Sequence, residues 1–297
     1  MLVAANVIWS LNYATTKYAF ERWSPIAFSG LRFATAGIAL ALFVRWREGG
    51  LGVDRSDVRL VVLCGIVGIF LNQLTFTYAV DYTAAANVAL ILAAAPAFAA
   101  VFAVMLGHER VRPAHWLALG VSLVGVGLVV VGGSDLAGFS LRGDLLAVGA
   151  ALTWAAYTVM LRPLLGRYSA IRISALVILV GAVIMAPVTI VQVANQDFDS
   201  LGRLDWAAWL YSTIGPLLLT NWLYFRALHR VGAARATLYM YLQPFLGAVF
   251  AAWLLGEKLV AVQLVGGAVI VGGVALGRAV AARRPMVGEV EPPGEPI

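Results

Sequence analysis

Charge is what this chain has least of. Asp, Glu, Lys and Arg make up 12% of its 297 residues, against 62% hydrophobic residues, about half the charged share of an ordinary soluble domain. That scarcity excludes a water-facing surface over most of the length. Cysteine is almost missing too: Cys64 is alone, so no intrachain disulfide can form. There are three histidines, His108, His115 and His229, and none stands in a metal-ligating pattern. No second histidine follows His108-Glu109, no Gly-x-x-x-x-Gly-Lys cradle exists, and no paired aspartates lie inside an apolar run. These absences exclude the usual intramembrane enzymes, and neither cofactor nor metal is expected. Residues 1–9 hold no basic residue, so they do not read as a secretory leader.

What the chain has is long apolar runs. About 20 apolar residues span the hydrocarbon core of a bilayer, and a spanning segment must be a helix or part of a closed barrel, because lipid satisfies no backbone group. The runs are twice strand length and do not alternate, so an all-α integral membrane protein is expected. Cutting at charge clusters and at Gly and Pro gives ten transmembrane spans: 1–20, 25–45, 59–80, 83–106, 113–133, 143–162, 170–194, 206–228, 233–256 and 260–280. With an even count both termini share one side. Fifteen arginines fall in the loops and tail of that side, among them Arg45, Arg47, Arg162, Arg167 and Arg172. Four basic residues fall opposite: Arg22, Arg142, Arg203 and Lys258. Cytoplasmic loops carry the excess of Lys and Arg, so both termini are expected in the cytoplasm, and the net charge of +6 is an orientation signal rather than a nucleic-acid patch. Trp23, Trp46, Trp116, Trp206 and Trp209 fall near span ends, where amphipathic rings favour the headgroup level. The tail 285–297, rich in Pro and Glu, is expected to be disordered and cytoplasmic.

The chain repeats itself. APAFAAVFAVMLGHER (95–110) and QPFLGAVFAAWLLGEK (243–258) align at an offset of 148, with seven identities between residues 96–109 and 244–257. Gly125 parallels Gly273 at the same offset. The copies lie on spans four and nine. An odd difference of five spans reverses orientation, so the expected fold is two inverted five-helix repeats, residues 1–134 and 135–284. Such halves can exchange roles across a midplane site, which is the architecture of alternating access. A channel would not need the inversion, and a scaffold would leave the mid-span prolines unexplained.

Trp9, Asn12 and Lys17 in WSLNYATTKYAF, Leu31-Arg32-Phe33 in span two, and the Pro-to-Glu endings of spans four and nine resemble the EamA family of the drug/metabolite transporter superfamily, ten-helix type. One departure is Gly107-His108-Glu109, where that family usually has Gly directly before Glu. The resemblance implies a transporter in the inner membrane, exporting amino acids, other metabolites or drugs.

Pro96 and Pro244 fall mid-span, where a proline frees the carbonyl four residues back, here those of Leu92 and Met240. Corresponding breaks in two halves point to a transport path. Around them polar and aromatic residues share helical faces: Trp9, Asn12, Tyr13 and Thr16 on span one, Asn72 and Phe76 on span three, Asn87 and Ile91 on span four, Trp154 and Tyr157 on span six, Asn221 and Tyr224 on span eight, Tyr239 and Gln243 on span nine. They either glue helices or line a cavity for a mostly apolar small molecule with a polar handle, such as an amino acid. Lys17 reads as snorkelling or as paired with Glu21. Arg32 lies about 10 Å into span two at 1.5 Å per residue, and either ties carbonyls together or attracts a substrate carboxylate. No Asp or Glu is placed deep in a span, which favours facilitated or exchange transport over proton antiport. Glu109 and Glu257 read as loop-fixing. Glycines 120, 125, 127, 266, 267, 272, 273 and 277 suit close packing within each half, with a homodimer left open.

Overall fold

The computed structural model describes residues 1–106, 113–133, 140–220, 223 and 242–282. Among them every regular element is helical. α1 spans Leu2–Ala19, α2 Pro25–Glu48, α3 Arg55–Tyr82, α4 Ala85–Met105, α5 Pro113–Gly133, α6 Leu141–Met160 and α7 Ala170–Ala194. α8 starts as Arg203–Thr213 and continues as Ile214–Leu219; α9 is Leu242–Leu255 and α10 Ala261–Ala282. Five of these, α2, α3, α4, α6 and α7, are by length and composition able to cross a membrane. The remaining expected spans coincide with shorter or less apolar helices, or run partly outside the described residues.

The helix ends follow local chemistry. Ser24 precedes Pro25 at the start of α2, where the missing N–H is one the helix would leave unbonded anyway. Gly49 closes α2 at φ 78°, a left-handed conformation that glycine adopts without a Cβ clash. Ser140 and Ser169 accept from Gly143 and Arg172 backbone N–H groups, 3.2 Å each, to start α6 and α7.

Inside two helices the turn widens. Ile66–Leu71 of α3 and Ile214–Leu219 of α8 are π-helical, a form concentrated at functional sites. α4 breaks at Ala93-Ala94, where the Ala93 and Ala94 N–H groups reach back three residues, to Leu90 and Ile91. The break therefore precedes Pro96, which sits in the first turn of the restarted segment Ala95–Met105. Met240, the expected counterpart of Leu92, is outside the described residues.

α1 packs on α9, α8 and α4; α2 on α7; α3 on α6 and α7; α4 on α6 and α9; α5 on α10. The α5–α10 crossing corrects the expectation that the glycines pack within each half. A Cβ on Gly125 would lie 2.7 Å from the Gly266 carbonyl oxygen, and one on Gly266 2.7 Å from that of Gly125. The two backbones meet there, one from each expected repeat. Gly120, Gly127 and Gly272 face open space. Trp23 is a second correction. It is buried against Phe28, Phe198 and Trp206, with ring centroids 5.9, 5.9 and 5.1 Å away, whereas Trp46 is exposed as expected for an interfacial ring.

Candidate functional site

α1 is the strut around which the expected residues gather. Trp9 Nε1 donates to the Pro216 carbonyl in the widened turn of α8, 3.2 Å. Ser10 Oγ donates to the Gln243 carbonyl on α9, 3.2 Å. The Tyr13 ring leans on Phe76 of α3 at 5.9 Å and covers Gly247 of α9. Pro244, beside Gln243, is buried, whereas Pro96 is half-buried. Asn12 and Thr16 are buried, and Asn12 Oδ1 and Thr16 Oγ1 have no hydrogen-bond partner among the described residues. Unbonded polar atoms in a dry interior are costly. Here they mark α1 as a helix with polar capacity to spare.

Other expected residues have other occupations. Asn72 Nδ2 donates to the Ala150 carbonyl (2.9 Å) and to Thr153 Oγ1 (3.1 Å), tying α3 to α6. Ile91 is fully buried in an apolar cluster with Leu90, Phe98 and Ile270. Tyr157 is buried over Gly68, in the widened turn of α3, while its neighbour Trp154 is 40% exposed. Asn221, Tyr224 and Tyr239 lie outside the described residues.

Arg32 is 3% exposed. Its Nε donates to the Ser212 carbonyl of α8, 3.1 Å, and its guanidinium lies 5.4 and 5.8 Å from the Phe28 and Phe33 ring centres. Nη1 has no hydrogen-bond partner, nor does the Ser212 hydroxyl, among the described residues. No carboxylate pairs with Arg32 among those residues. A buried, uncompensated guanidinium is a strong recognition element for a carboxylate, which its planar fork fits.

The second polar cluster was not expected. Lys17 neither snorkels nor pairs with Glu21: its amine donates to the carbonyls of Val80, Asp81 and Thr83 at 2.7, 2.8 and 3.0 Å. These close the C-terminal end of α3, where a cation is favoured. Glu257, from the loop before α10, accepts the backbone N–H groups of Ala85 (2.8 Å) and Ala86 (3.0 Å). It thereby caps α4, whose own N-cap residue Ala84 has no side chain to do so. Beside them lies Asp144, in the first turn of α6 and 1% exposed. Thr83 Oγ1 donates to it at 2.8 Å, and Asn87 Nδ2 approaches both its oxygens, 3.2 and 3.3 Å. Asn87 Oδ1 in turn accepts from Gln263 Nε2 of α10, 2.6 Å. Asp144 stands at the end of its span, as expected of the acids, but is enclosed there rather than exposed. In sequence Asp144 reads as an ordinary first-turn acid facing the helix dipole, and only the α3–α4 loop folding over it removes it from solvent.

The sequence profile of the EamA-like transporter family matches residues 1–131 and 141–277. The chain is 27% identical to a probable terminal-alkyne amino-acid exporter of Streptantibioticus cattleyicolor, over 93% of this chain and 91% of that one. It is 24% identical to the uncharacterized transporter YetK of Bacillus subtilis (92% and 84%), and 24% identical to the uncharacterized inner membrane transporter YedA of Escherichia coli K12 (93% and 88%). A solved crystal structure shares the fold at TM-score 0.65 and 20% identity, covering 95% of this chain and 96% of that one.

Proposed function

Because this chain belongs to the EamA-like transporter family, being a membrane-embedded transporter and not an enzyme, we propose that it exports amino acids or related carboxylate-bearing metabolites by alternating access between two inverted halves. Arg32 carries the substrate reading. An uncompensated cation inside an apolar bundle is sustained by a function more readily than by stability, and a carboxylate arriving beside its open Nη1 would complete its bonding. The ring faces of Tyr13 and Phe76 suit an apolar side chain. The amino-acid exporter among the similar proteins supports the same class.

Pairs of features 148 residues apart support the two-half reading. The widened turns of α3 and α8 begin at Ile66 and Ile214. Asp57 and Asp205, in the first turns of α3 and α8, pair with Arg167 (2.9 Å) and Arg22 (3.6 Å), each from the loop after a half's first helix. Glu48 accepts from the Ser169 hydroxyl ahead of α7 (2.6 Å), and Gln196 from the Ser24 N–H ahead of α2 (2.7 Å). Packing is paired likewise: α3 on α6 answers α8 on α1, and α4 on α6 answers α9 on α1. Halves so similarly tied can exchange conformations at little net energy.

With both termini inside, a reporter fused after Leu165 is expected to read cytoplasmic and one after Ser200 external; the opposite readings would reverse the topology. The function is tested by counterflow in proteoliposomes loaded with labelled amino acids. Exchange of at least one amino acid above protein-free liposomes is expected, and transport confined to cationic drugs would overturn the substrate class.

A further inference from the structure

We infer that Thr16 and Ser212 join Arg32 in holding a substrate carboxylate, and that Asn12, one turn away on α1, holds an ammonium beside it. The site so formed selects α-amino acids over carboxylates that lack the amine. The inference rests on the amino-acid reading of Arg32 and deepens it. Its basis is four buried polar atoms on three helices. Asn12 Oδ1, Thr16 Oγ1, Arg32 Nη1 and Ser212 Oγ have no hydrogen-bond partner among the described residues, and none of these residues is more than 8% exposed. A hydroxyl buried on a helix can satisfy itself on the carbonyl four residues back. The neighbouring Thr15 and Thr213 do so, onto Leu11 and Trp209 at 3.0 and 2.8 Å. Thr16 and Ser212 do not.

Packing brings the four to one level. Ala19, Phe28 and Ala208 belong to one buried cluster, while a Cβ on Gly215 would stand 3.0 Å from Ile8 Cγ2. α1 and α8 are therefore antiparallel, and the α1 turn from Asn12 to Thr16 passes Ser212. Arg32 is fixed there by the 3.1 Å bond from its Nε to the Ser212 carbonyl. Phe20, four residues after Thr16, meets Phe28, four before Arg32, edge on with 5.6 Å between ring centroids. Residues four apart on a helix share a face, so Thr16 and Arg32 approach each other one turn from that ring pair. The four atoms differ in what they can bind. A guanidinium only donates, and a hydroxyl can turn its proton towards an acceptor. Arg32 Nη1 and the two hydroxyls thus offer three donors to the oxygens of a carboxylate. Asn12 Oδ1 only accepts, which suits an ammonium, and in an α-amino acid the ammonium is on the carbon next to the carboxylate. Because all four atoms are sealed from solvent, a solute reaches them only when α1 moves relative to α2 and α8.

The test uses the full chain in proteoliposomes, with a labelled mixture of the common L-amino acids as the probe. Thr16→Val and Ser212→Ala are each expected to raise the half-saturating concentration for counterflow roughly tenfold, the loss of one bond to a charged group, with the maximal rate kept. Thr16→Ser retains the hydroxyl and is expected to match the wild type. Neither removal breaks a bond within the protein, so without amino acid neither variant is expected to melt below the wild type. In the wild type, unlabelled amino acids are expected to compete roughly tenfold better than the matching carboxylic acids without the α-amine; in Asn12→Leu the two mixtures are expected to compete alike. Unchanged half-saturation in both hydroxyl variants, with or without earlier melting, overturns their role and leaves the Arg32 reading standing. Equal competition by the two mixtures in the wild type overturns the ammonium contact. Should Thr16→Val fail to fold, Ser212→Ala, on another helix, decides the same point. A wild type that exchanges no amino acid overturns both this inference and the amino-acid reading beneath it.

Discussion

Arg32→Met is expected to lower amino-acid counterflow by roughly 30-fold or more, while the substrate-free protein becomes more stable to heat. The two halves of this expectation come from one geometry. Removing one member of a buried charge pair costs about 2–5 kcal/mol, and in the loaded carrier the pair is Arg32 with the substrate carboxylate. Without substrate no carboxylate compensates the guanidinium among the described residues; it keeps the Ser212 carbonyl and two ring faces. Replacing such a group by an apolar side chain of similar length relieves a desolvation cost, often by about 1–4 kcal/mol. Arg32→Lys keeps the charge but loses the fork, and should retain part of the flux. Thermal melting of the purified protein with and without added amino acid separates the outcomes. A variant that melts earlier yet transports normally would make Arg32 a structural tie between α2 and α8, and the carboxylate reading would fall.

Gly266→Val is expected to prevent accumulation of folded protein, whereas Gly272→Val, on the same helix, is expected to behave as the wild type. At Gly266 the nearest atoms to an added Cβ include the Gly125 carbonyl oxygen at 2.7 Å and the Val129 amide nitrogen at 2.9 Å, and backbone cannot swing aside as a side chain can. Forcing extra carbons into a packed contact costs about 1–3 kcal/mol when side chains can adjust, and more where α5 and α10 must separate along their length. At Gly272 nothing lies within 4 Å. Size-exclusion profiles after detergent extraction would check both variants. A monodisperse Gly266→Val would mean that the close α5–α10 contact is not needed for the fold.

The corrected expectations share a cause. The sequence placed Lys17 beside Glu21 because neighbours at i, i+4 are all that one helix offers, yet its three partners lie 63, 64 and 66 residues away. Asp144 and Glu257 likewise meet partners 57 to 172 residues distant. Asn72, legible as either glue or lining, turned out to have its bonds on α6. A helical wheel shows which residues share a face but not what that face meets.

From the sequence alone came the membrane, the helices, the family resemblance and the 148-residue period, since each depends on composition, run length or self-similarity along one chain. Tertiary structure alone decided that α5 crosses α10 through two glycines, that Trp23 is internal, that Arg32 has no counter-charge among the described residues and that Asp144 is enclosed. The physical reason is that burial and pairing are relations between segments. Lipid imposes helix on every apolar run regardless of its neighbours, but whether a polar side chain is satisfied depends on which helix the fold lays against it.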